Sequence, residues 1–473
     1  MNYRAIAKNY LVALLAQGVS SVASIATGFL VPKVLGVTEF GYYQLFVFYA
    51  SYVGLCHLGL TDGVYLIMGG KRRDELDSRS VKSQMMIGLI YESLFSLALI
   101  IIIWLGRLDR DRSLVLLLIS FYLIIKNIGA YLGYVLQAIN ETRLFSISTI
   151  VEKGIFVLLV LFLLAMSVDD FVPYALAFSL GSVAQTVYCV FHTRDILSSK
   201  LMPVGETLPQ VIESIGVGSK LLVANLASSL ILGVARMAID NAWGIETFGR
   251  VSFALSMVSF FLTFITQASM VLFPALRAGG EGDVKRFYEF ANRAMGILFP
   301  IAYLLYCPMC WFVSAWLPAY AGSIRYLVFL LPVCVFDSKM NISCMTLYKV
   351  RREETKLLEI NVVTMIVCAA LVGISVYMVG SVEFALASAT LSIMGRSIYA
   401  ERDLSKSLGV KSGNISIWEL MLTLAFVILA LCGPDDVLML VYGLLYTAFL
   451  ALNKSSFKSV ALLIRRGSTK KES

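Results

Sequence analysis

The sequence predicts an all-α integral membrane protein with fourteen transmembrane helices. Three observations predict this fold class: 59% of the 473 residues are hydrophobic, only 15% are charged, and the apolar residues occur in uninterrupted runs. A typical soluble domain is about 45–50% apolar and about 25% charged. Each run has about 20 residues, which is enough for a helix to cross the roughly 30 Å hydrocarbon core of a membrane.

The apolar runs define fourteen spans separated by short connections. The spans lie near residues 9–31, 41–63, 83–105, 113–137, 146–167, 171–192, 216–238, 248–273, 291–313, 324–347, 357–379, 382–400, 417–433 and 437–453. The longest connections, near 193–215 and 274–290, are shorter than the roughly 50 residues that a soluble domain needs. The sequence therefore excludes a glycosyltransferase, an ATPase or a polymerase that carries its chemistry on an extramembrane domain.

The distribution of the 39 Lys and Arg residues predicts the orientation. Of these, 29 lie at the N-terminus, in alternate loops and in the C-terminal tail, six lie on the opposite side, and four lie inside spans. Because cytoplasmic loops carry the excess of basic residues, both termini are expected in the cytoplasm. The formal charge of +8 then reflects topology and contact with anionic lipid, and it requires no nucleic-acid partner.

Two turns with the same residue pattern lie 208 residues apart. Residues 36–41 read GVTEFG and residues 244–249 read GIETFG, and ETRL at 141–144 matches ETKL at 354–357. These matches keep their order, spacing and position relative to the spans, which indicates six spans repeated once with two spans appended. Since the first and seventh spans cross in the same direction, the repeat is parallel, with a pseudo-twofold axis along the membrane normal.

The repeat predicts the domain organisation. We expect an N-lobe at 1–197, a cytoplasmic inter-lobe linker at 198–215, a C-lobe at 216–405, an appended helix pair at 406–453 and a basic cytoplasmic tail at 454–473. Two lobes related in this way leave a central cleft, and rocking them exposes the cleft to either side. That architecture is typical of transporters.

The turn LGVTEFGYY at 35–43 and the LGL at 58–60, together with the six-plus-six-plus-two plan, resemble the multidrug/oligosaccharidyl-lipid/polysaccharide exporter superfamily. Within it the chain is most similar to the polysaccharide transporters of the O-antigen flippase type. The resemblance implies a bacterial cytoplasmic (inner) membrane protein that moves undecaprenyl-pyrophosphate-linked oligosaccharide to the outer leaflet by alternating access. Many relatives carry an Arg after this point, but this chain has TDGVY at 61–65, so no Arg role is transferred.

The partners that the resemblance implies are membrane lipid and the lipid-linked oligosaccharide. Whether a polysaccharide polymerase and a chain-length regulator also bind stays open. The sequence has no phosphate-binding loop of the GxxxxGK(S/T) type, and it predicts neither a cofactor nor a metal site.

Four cations inside the spans are candidate substrate ligands: Lys126, Lys339, Lys153 and Arg236, in that order. A charge at mid-span costs about 2.5–3.5 kcal/mol on insertion scales, so it should face a cavity or a partner. Cationic walls at low dielectric would hold an anionic pyrophosphate head group without a metal ion. Lys126 is the strongest candidate, because it lies in the middle of its span, where a charge most needs a cavity or a partner.

Structural interpretations of the same charges stay open. Lys126 and Glu152 lie at similar depth on antiparallel spans, so they could simply form an ion pair. Arg236 has an aspartate four residues later and could extend to the interface. Asp337 and Lys339 are two residues apart and point to different neighbours, so at least one of them should face the cleft.

Directional transport without an ATPase domain requires a coupling ion. The acidic residues inside the spans, Glu92, Glu152 and Asp337, are the candidates that would titrate or bind a cation during the cycle. Asp62 and His57 are alternatives, although solvation explains Asp62 and packing explains His57 more simply than a coupling role does.

Tyrosines cluster in the second span at Tyr42, Tyr43, Tyr49 and Tyr52. They could stack on sugar rings in the cleft, or they could form an interfacial belt or pack in the core.

Two other function classes remain in competition. A cation-coupled multidrug exporter of the same superfamily would have twelve spans and an acidic cavity, whereas this chain has fourteen spans and four buried cations. A membrane enzyme such as an acyltransferase would need a nucleophile or base at a wet site, but the chain has only two histidines, His57 and His192, and no long outer loop. We therefore expect a transporter and not an enzyme.

Overall fold

The computed structural model describes residues 3–106, 108–277, 281–410 and 415–454. Within these ranges the regular secondary structure is helical and no strand occurs. Most of the predicted basic tail at 454–473 lies outside the described residues.

Fourteen helical segments occur in the described ranges, and we number them in chain order. They are α1 (3–35), α2 (37–50), α3 (Ser78–Leu105), α4 (Arg110–Ala138), α5 (Thr142–Ala165), α6 (Phe171–His192), α7 (204–243), α8 (245–277), α9 (281–316), α10 (324–350), α11 (354–379), α12 (Val382–Ser407), α13 (Ile415–Cys432) and α14 (Asp435–Leu452). Shorter helical pieces follow α2 at Val53–His57 and Leu60–Met68 and connect other helices at Arg73–Glu75, Arg194–Leu197 and Pro318–Ser323.

Nine continuous stretches of the described chain are long and apolar enough to cross a membrane, and two shorter apolar helices, Ile417–Cys432 and Asp436–Leu452, follow them. Two of the nine, Leu15–His57 and Val204–Leu262, each contain two of the predicted spans. The more polar α12 completes the set of fourteen. The predicted all-α membrane fold is therefore confirmed, and the chain is a multi-pass membrane protein.

The two long stretches divide at glycines in equivalent positions of the repeat. Gly36 has φ 71° and ψ −178°, and Gly244 has φ 79° and ψ −177°. Backbone with positive φ and ψ near 180° is accessible essentially only to glycine. The 208-residue repeat seen in the sequence is thus also a repeat of backbone conformation.

The chain forms two compact units. The first comprises Met1–Ser229 with Ile245–Gly249, and the second comprises Leu230–Gly244 with Arg250–Ser473. In the first unit α6 packs on α4 and α5, and in the second α10 and α11 pack on α12. Leu, Ile and Phe side chains remain exposed along the outer faces of the helices, as expected for surfaces that contact lipid.

Part of the predicted linker at 198–215 is helical. Helix α7 begins at Val204, and its residues as far as Ser229 belong to the first unit. Ser214 Oγ donates a hydrogen bond to Gln84 Oε1 over 2.7 Å, which holds this part of α7 on α3. Because buried polar groups of this kind satisfy one another, this part of α7 packs as a helix on α3.

A glycine crossing fixes the same part of α7 against the helix at Leu60–Met68. A Cβ atom on Gly63 would lie 1.8 Å from the carbonyl oxygen of Ser214, and one on Gly218 would lie 2.0 Å from that of Gly59. The two backbones are therefore closer than any other residue type permits.

Candidate functional site

The first unit contains a cavity of about 380 Å³ between α2 and its continuation, α4, α5 and α6. Its polar lining consists of Ser51, His57, Thr61, Tyr122, Lys126, Asn127, Tyr134, Glu152 and Lys153. Two of the four predicted cations and one of the three predicted acids therefore meet at one place.

Lys126 and Lys153 both contact the same carboxylate oxygen of Glu152. Lys126 Nζ lies 2.9 Å and Lys153 Nζ lies 3.4 Å from Glu152 Oε1. The hydroxyl of Ser182 donates to the same oxygen over 3.2 Å, and Lys126 also donates to Gln185 Oε1 over 3.1 Å. The ion pair between Lys126 and Glu152 that their similar depth indicated is thus present. Two ammonium groups against one carboxylate leave a formal charge of +1.

The members of the cluster differ in exposure. The Glu152 side chain is 6% exposed, whereas those of Lys126 and Lys153 are 26% and 28% exposed. Lys153 Nζ also lies 5.4 Å from the ring centroid of Phe178, which is within the range of a cation–π contact. The carboxylate is consequently enclosed while both ammonium groups reach the cavity. The accessible charge of the site is positive.

An interrupted helix forms another wall of the cavity. The second span breaks after His57, where Leu58 and Gly59 have φ 54° and 94°. The backbone N–H of Gly59 donates to His57 Nδ1 over 3.0 Å, so in the neutral imidazole the proton is on Nε2, which lies 3.8 Å from Asp62 Oδ2. Asn127 Nδ2 donates to the backbone carbonyl of Val53, at the start of the helical turn before this break, over 3.2 Å. Broken helices beside a polar cavity are typical of transporter binding sites.

Glu92 lies next to this cavity on α3. It is buried, and it lines a small adjoining space together with Asn127, which also forms part of the wall of the main cavity. Of the three acidic candidates, Glu152 belongs to the cluster of Lys126, Glu152 and Lys153, which we call the cationic cluster. Asn127 lies between the cavity that contains this cluster and the small space beside Glu92.

Lys339 lies in the second unit, in a cluster of its own. Its Nζ is 2.8 Å from Glu401 Oε2 and 2.8 Å from Glu419 Oε2, and its side chain is 1% exposed. The ammonium group is thus enclosed between two carboxylates. Neither glutamate was a candidate from the sequence, because each lies near the end of a predicted span, where an acid is usually solvated. Their position on helices that carry large apolar side chains is the one signal that could have drawn attention to them.

Asp337 pairs with Arg396, which lies in the predicted span at 382–400 although it was counted among the 29 cytoplasmic cations. Arg396 on α12 forms an ion pair with Asp337 and donates to Asn361 Oδ1 over 3.3 Å. Asn341 Nδ2 donates to Asp337 Oδ2 over 3.0 Å. Arg396 is buried, so counting it among the cytoplasmic loop cations was wrong: it lies within a helix and its charge is compensated by a neighbouring helix.

Arg236 is separate from these clusters. It belongs to the second unit, where its Nη2 donates to Ser252 Oγ over 3.0 Å. The roles of Arg236 and Lys339 as substrate ligands stay predictions.

The tyrosines of the second span make packing contacts. Tyr42 donates to Asp109 Oδ2 over 2.9 Å, Tyr43 is fully buried, and the rings of Tyr49 and Tyr52 both pack against one phenylalanine. These contacts agree with the packing interpretation, and the cavity lining contains two other tyrosines, on α4.

No family model matches the sequence, and no curated protein matches it either. Several solved structures, in contrast, match the fold of the chain. The lipid II flippase MurJ, in an inward closed conformation, superposes with a TM-score of 0.61 at 12% identity, covering 95% of this chain and 99% of that one. A multidrug resistance MATE family transporter of the MOP superfamily, in an inward-facing conformation, superposes with a TM-score of 0.53 at 14% identity, covering 85% and 99%.

The chain has the fold of these two solved transporters, one of which is described as a member of the MOP superfamily. These structural neighbours agree with the superfamily named from the turn at 35–43 at the level of the fold, and they do not resolve the O-antigen branch within it. Because identities of 12% and 14% relate folds and not substrates, the cargo of this protein has to be argued from its own cavity.

Proposed function

We propose that the protein is a transporter that moves an anionic lipid-linked oligosaccharide, of the undecaprenyl-pyrophosphate type, from the cytoplasmic to the outer leaflet of a bacterial cytoplasmic membrane by alternating access. The observation that carries the proposal is the cavity of the first unit, where Lys126 and Lys153 present a net positive charge around the enclosed carboxylate of Glu152. The shared fold with MurJ and a MATE transporter supports a transporter of this general kind.

The charge arrangement suits a diphosphate. Charges in a cavity with low-dielectric walls act more strongly than in water, and clefts of one sign concentrate ligands of the other. Each ammonium group has three donors, and Glu152 uses one acceptor atom for both lysines, so donors remain for phosphate oxygens. Glu152 keeps the two lysines together before the substrate arrives, which lowers the cost of holding like charges side by side.

The uncharged lining suits the sugar portion. Tyr122 and Tyr134 offer aromatic faces, and Asn127, Thr61 and Ser51 offer polar groups that exchange hydrogen bonds with hydroxyls. The cavity of about 380 Å³ matches a few sugar rings and not a long glycan, so we infer that a single repeat unit is carried in each cycle.

Transport in one direction is proposed to be coupled to an ion gradient. Glu92 is the acidic candidate next to the cavity, and Asn127 connects its small adjoining space with the cationic cluster. Glu152 and Asp337 already accept hydrogen bonds from cationic side chains in this structure, so their titration would require those pairs to open.

The competing function is a multidrug exporter with cationic cargo, and one structural neighbour is described as a multidrug resistance transporter. A cavity for organic cations needs excess negative charge, because an unpaired like charge in a closed site costs several kcal/mol. The first-unit cavity has two lysines for each glutamate, which favours anionic cargo over cationic cargo.

The proposal is tested by complementing a deletion strain with Lys126→Ala and Lys126→Arg, with Lys200→Gln at an exposed position as the matched control. The readouts are surface glycan and the lipid-linked precursor that accumulates inside. We expect Lys126→Ala to lose export and accumulate precursor, Lys126→Arg to retain part of it, and Lys200→Gln to behave as wild type. Full export by Lys126→Ala would contradict the assignment of the cavity.

A further inference from the structure

A groove of about 530 Å³ lies between α11 and α12 of the second unit, and the transport function proposed above does not use it. Its apolar wall is formed by Ile360, Val363, Val367 and Leu371 on α11 and by Leu391 on α12. Val363 and Leu391 are 59% and 60% exposed, so the groove opens on the surface of the unit. An exposed apolar groove of this kind is typical of a surface that contacts hydrocarbon.

The polar side chains beside this apolar wall already have partners within the protein. Thr364 and Ser392 each donate to the carbonyl oxygen four residues earlier on the same helix, over 2.7 Å and 2.8 Å. Arg396 is buried and forms an ion pair with Asp337 on α10. Because the hydroxyls are bonded to their own helices, this part of the groove suits an acyl chain better than a sugar or an ion.

The groove becomes charged at the end where α11 begins. Lys356 and Glu359 are three residues apart and therefore lie on one face of this helix, and Tyr399 of α12 lies close to Lys356. Lys356 Nζ is 2.7 Å from Asp403 Oδ2, and its ammonium group has further donors for a ligand. Glu359 is exposed. A cation and an acid side by side are complementary to a head group that contains both a phosphate and an ammonium group.

The length of the apolar wall matches one leaflet of a membrane. Helix α11 begins at Glu354, so Lys356 and Glu359 lie at the end of the span. From Ile360 to Leu371 the helix rises about 16 Å, at about 1.5 Å per residue. Half of a hydrocarbon core is about 15 Å thick. A lipid with its head group at the charged end would therefore extend an acyl chain along the whole wall.

We propose that this groove binds one phosphatidylethanolamine molecule of the surrounding membrane. Lys356 and Tyr399 hold the phosphate group, Glu359 holds the ammonium group, and one acyl chain lies along the apolar wall. The orientation predicted from the basic residues puts this site in the cytoplasmic leaflet. A polyprenyl diphosphate has no ammonium group and would place negative charge beside Glu359, so the groove is not a second site for the proposed cargo. Binding of the phospholipid does not depend on which cargo the first unit moves.

Gly395 on α12 keeps the groove open. It lines the groove without a side chain, and a Cβ placed there would meet nothing within 4 Å. Gly395→Leu should therefore fill the groove, while its Cβ displaces no neighbouring atom. The matched control is Gly373→Leu on α11, which lies outside the groove lining and where a Cβ also meets nothing within 4 Å.

The test is native mass spectrometry of the purified full-length protein titrated with phosphatidylethanolamine, phosphatidylglycerol or undecaprenyl phosphate. We expect wild type and Gly373→Leu to bind a first phosphatidylethanolamine more tightly than either other lipid. Gly395→Leu should bind it at least about tenfold more weakly, because the leucine occupies the space of the acyl chain and removes its packing contacts. Equal affinities of Gly395→Leu and wild type, or tighter binding of undecaprenyl phosphate by wild type, would overturn the proposal.

Variants of Glu359 test the head-group contact at an exposed position. Glu359→Gln should reduce the preference for phosphatidylethanolamine over phosphatidylglycerol by about 2–5-fold, the range expected for an exposed ion pair, and Glu359→Lys should reverse it. Glu354→Gln, at an exposed glutamate outside the groove lining, should keep the wild-type preference. An unchanged preference in both Glu359 variants would contradict the proposal. A protein dimer that only Gly395→Leu dissociates would also contradict it, because the groove would then bind a second copy of the chain.

Discussion

Thr38 and Glu246 lie 208 residues apart and are hydrogen bonded, with Thr38 Oγ1 3.2 Å from Glu246 Oε1. They occupy the same position in the two copies of the repeat. Both residues belong to the first unit, so the two matching turns are in direct contact there.

The neighbouring glycines obey the same symmetry. A Cβ on Gly41 would lie 2.6 Å from the carbonyl oxygen of Ile245, and a Cβ on Gly249 would lie 2.7 Å from that of Val37. Adding 208 to residues 37 and 41 gives 245 and 249, so each contact is the counterpart of the other. The GVTEFG and GIETFG turns therefore pack against each other through equivalent residues.

Substituting Gly41 tests this packing. We expect Gly41→Ala to reduce the free energy of unfolding by about 1–3 kcal/mol, because the new methyl group overlaps backbone that cannot move aside. The comparison is Gly154→Ala on α5, where nothing lies within 4 Å and a small gain in helix stability is expected. Thermal unfolding in detergent measures both. Equal melting temperatures for the two variants would contradict the close contact.

A second glycine substitution tests the position of α7. Gly218→Ala should prevent the crossing with the helix at Leu60–Met68 and lower the yield of folded protein, since its Cβ would lie 2.0 Å from the carbonyl oxygen of Gly59. Gly216→Ala, two residues earlier on the same helix, meets nothing within 4 Å. Size-exclusion profiles of the two variants should differ clearly. If Gly218→Ala were as monodisperse as Gly216→Ala, the start of α7 would not pack as described.

Removing the shared carboxylate tests the energetics of the cationic cluster. Glu152→Gln leaves Lys126 and Lys153 facing each other, and we expect a loss of about 1–3 kcal/mol, because both lysines are partly exposed and solvent screens part of their repulsion. Adding Lys126→Gln should restore part of that loss. A double-mutant cycle by thermal unfolding measures the coupling, and strictly additive effects would show that the three groups do not interact.

The sequence predicted those features of the protein that are properties of one helix or one turn at a time. Run length and hydropathy predicted the fourteen helices, the turn at 36–41 predicted the repeat, and depth along antiparallel spans predicted the Lys126–Glu152 pair. The partners of Lys339 could not be found in this way. They come from α12 and α13, and which side chains meet depends on how each helix is rotated in the packed unit.

The proposed function is tested most directly by measuring which cargo the cavity of the first unit moves. The decisive measurement is leaflet exchange in proteoliposomes containing wild type, Lys126→Ala or Lys200→Gln, with an undecaprenyl-pyrophosphate-linked oligosaccharide as one cargo and a fluorescent organic cation as the other. We predict that wild type and Lys200→Gln exchange the anionic cargo and not the cation, and that Lys126→Ala is slower by about 10–100-fold, since hydrogen bonds to charged groups contribute about 1.5–3 kcal/mol. Undiminished exchange by Lys126→Ala, or movement of the cation alone, would contradict the account.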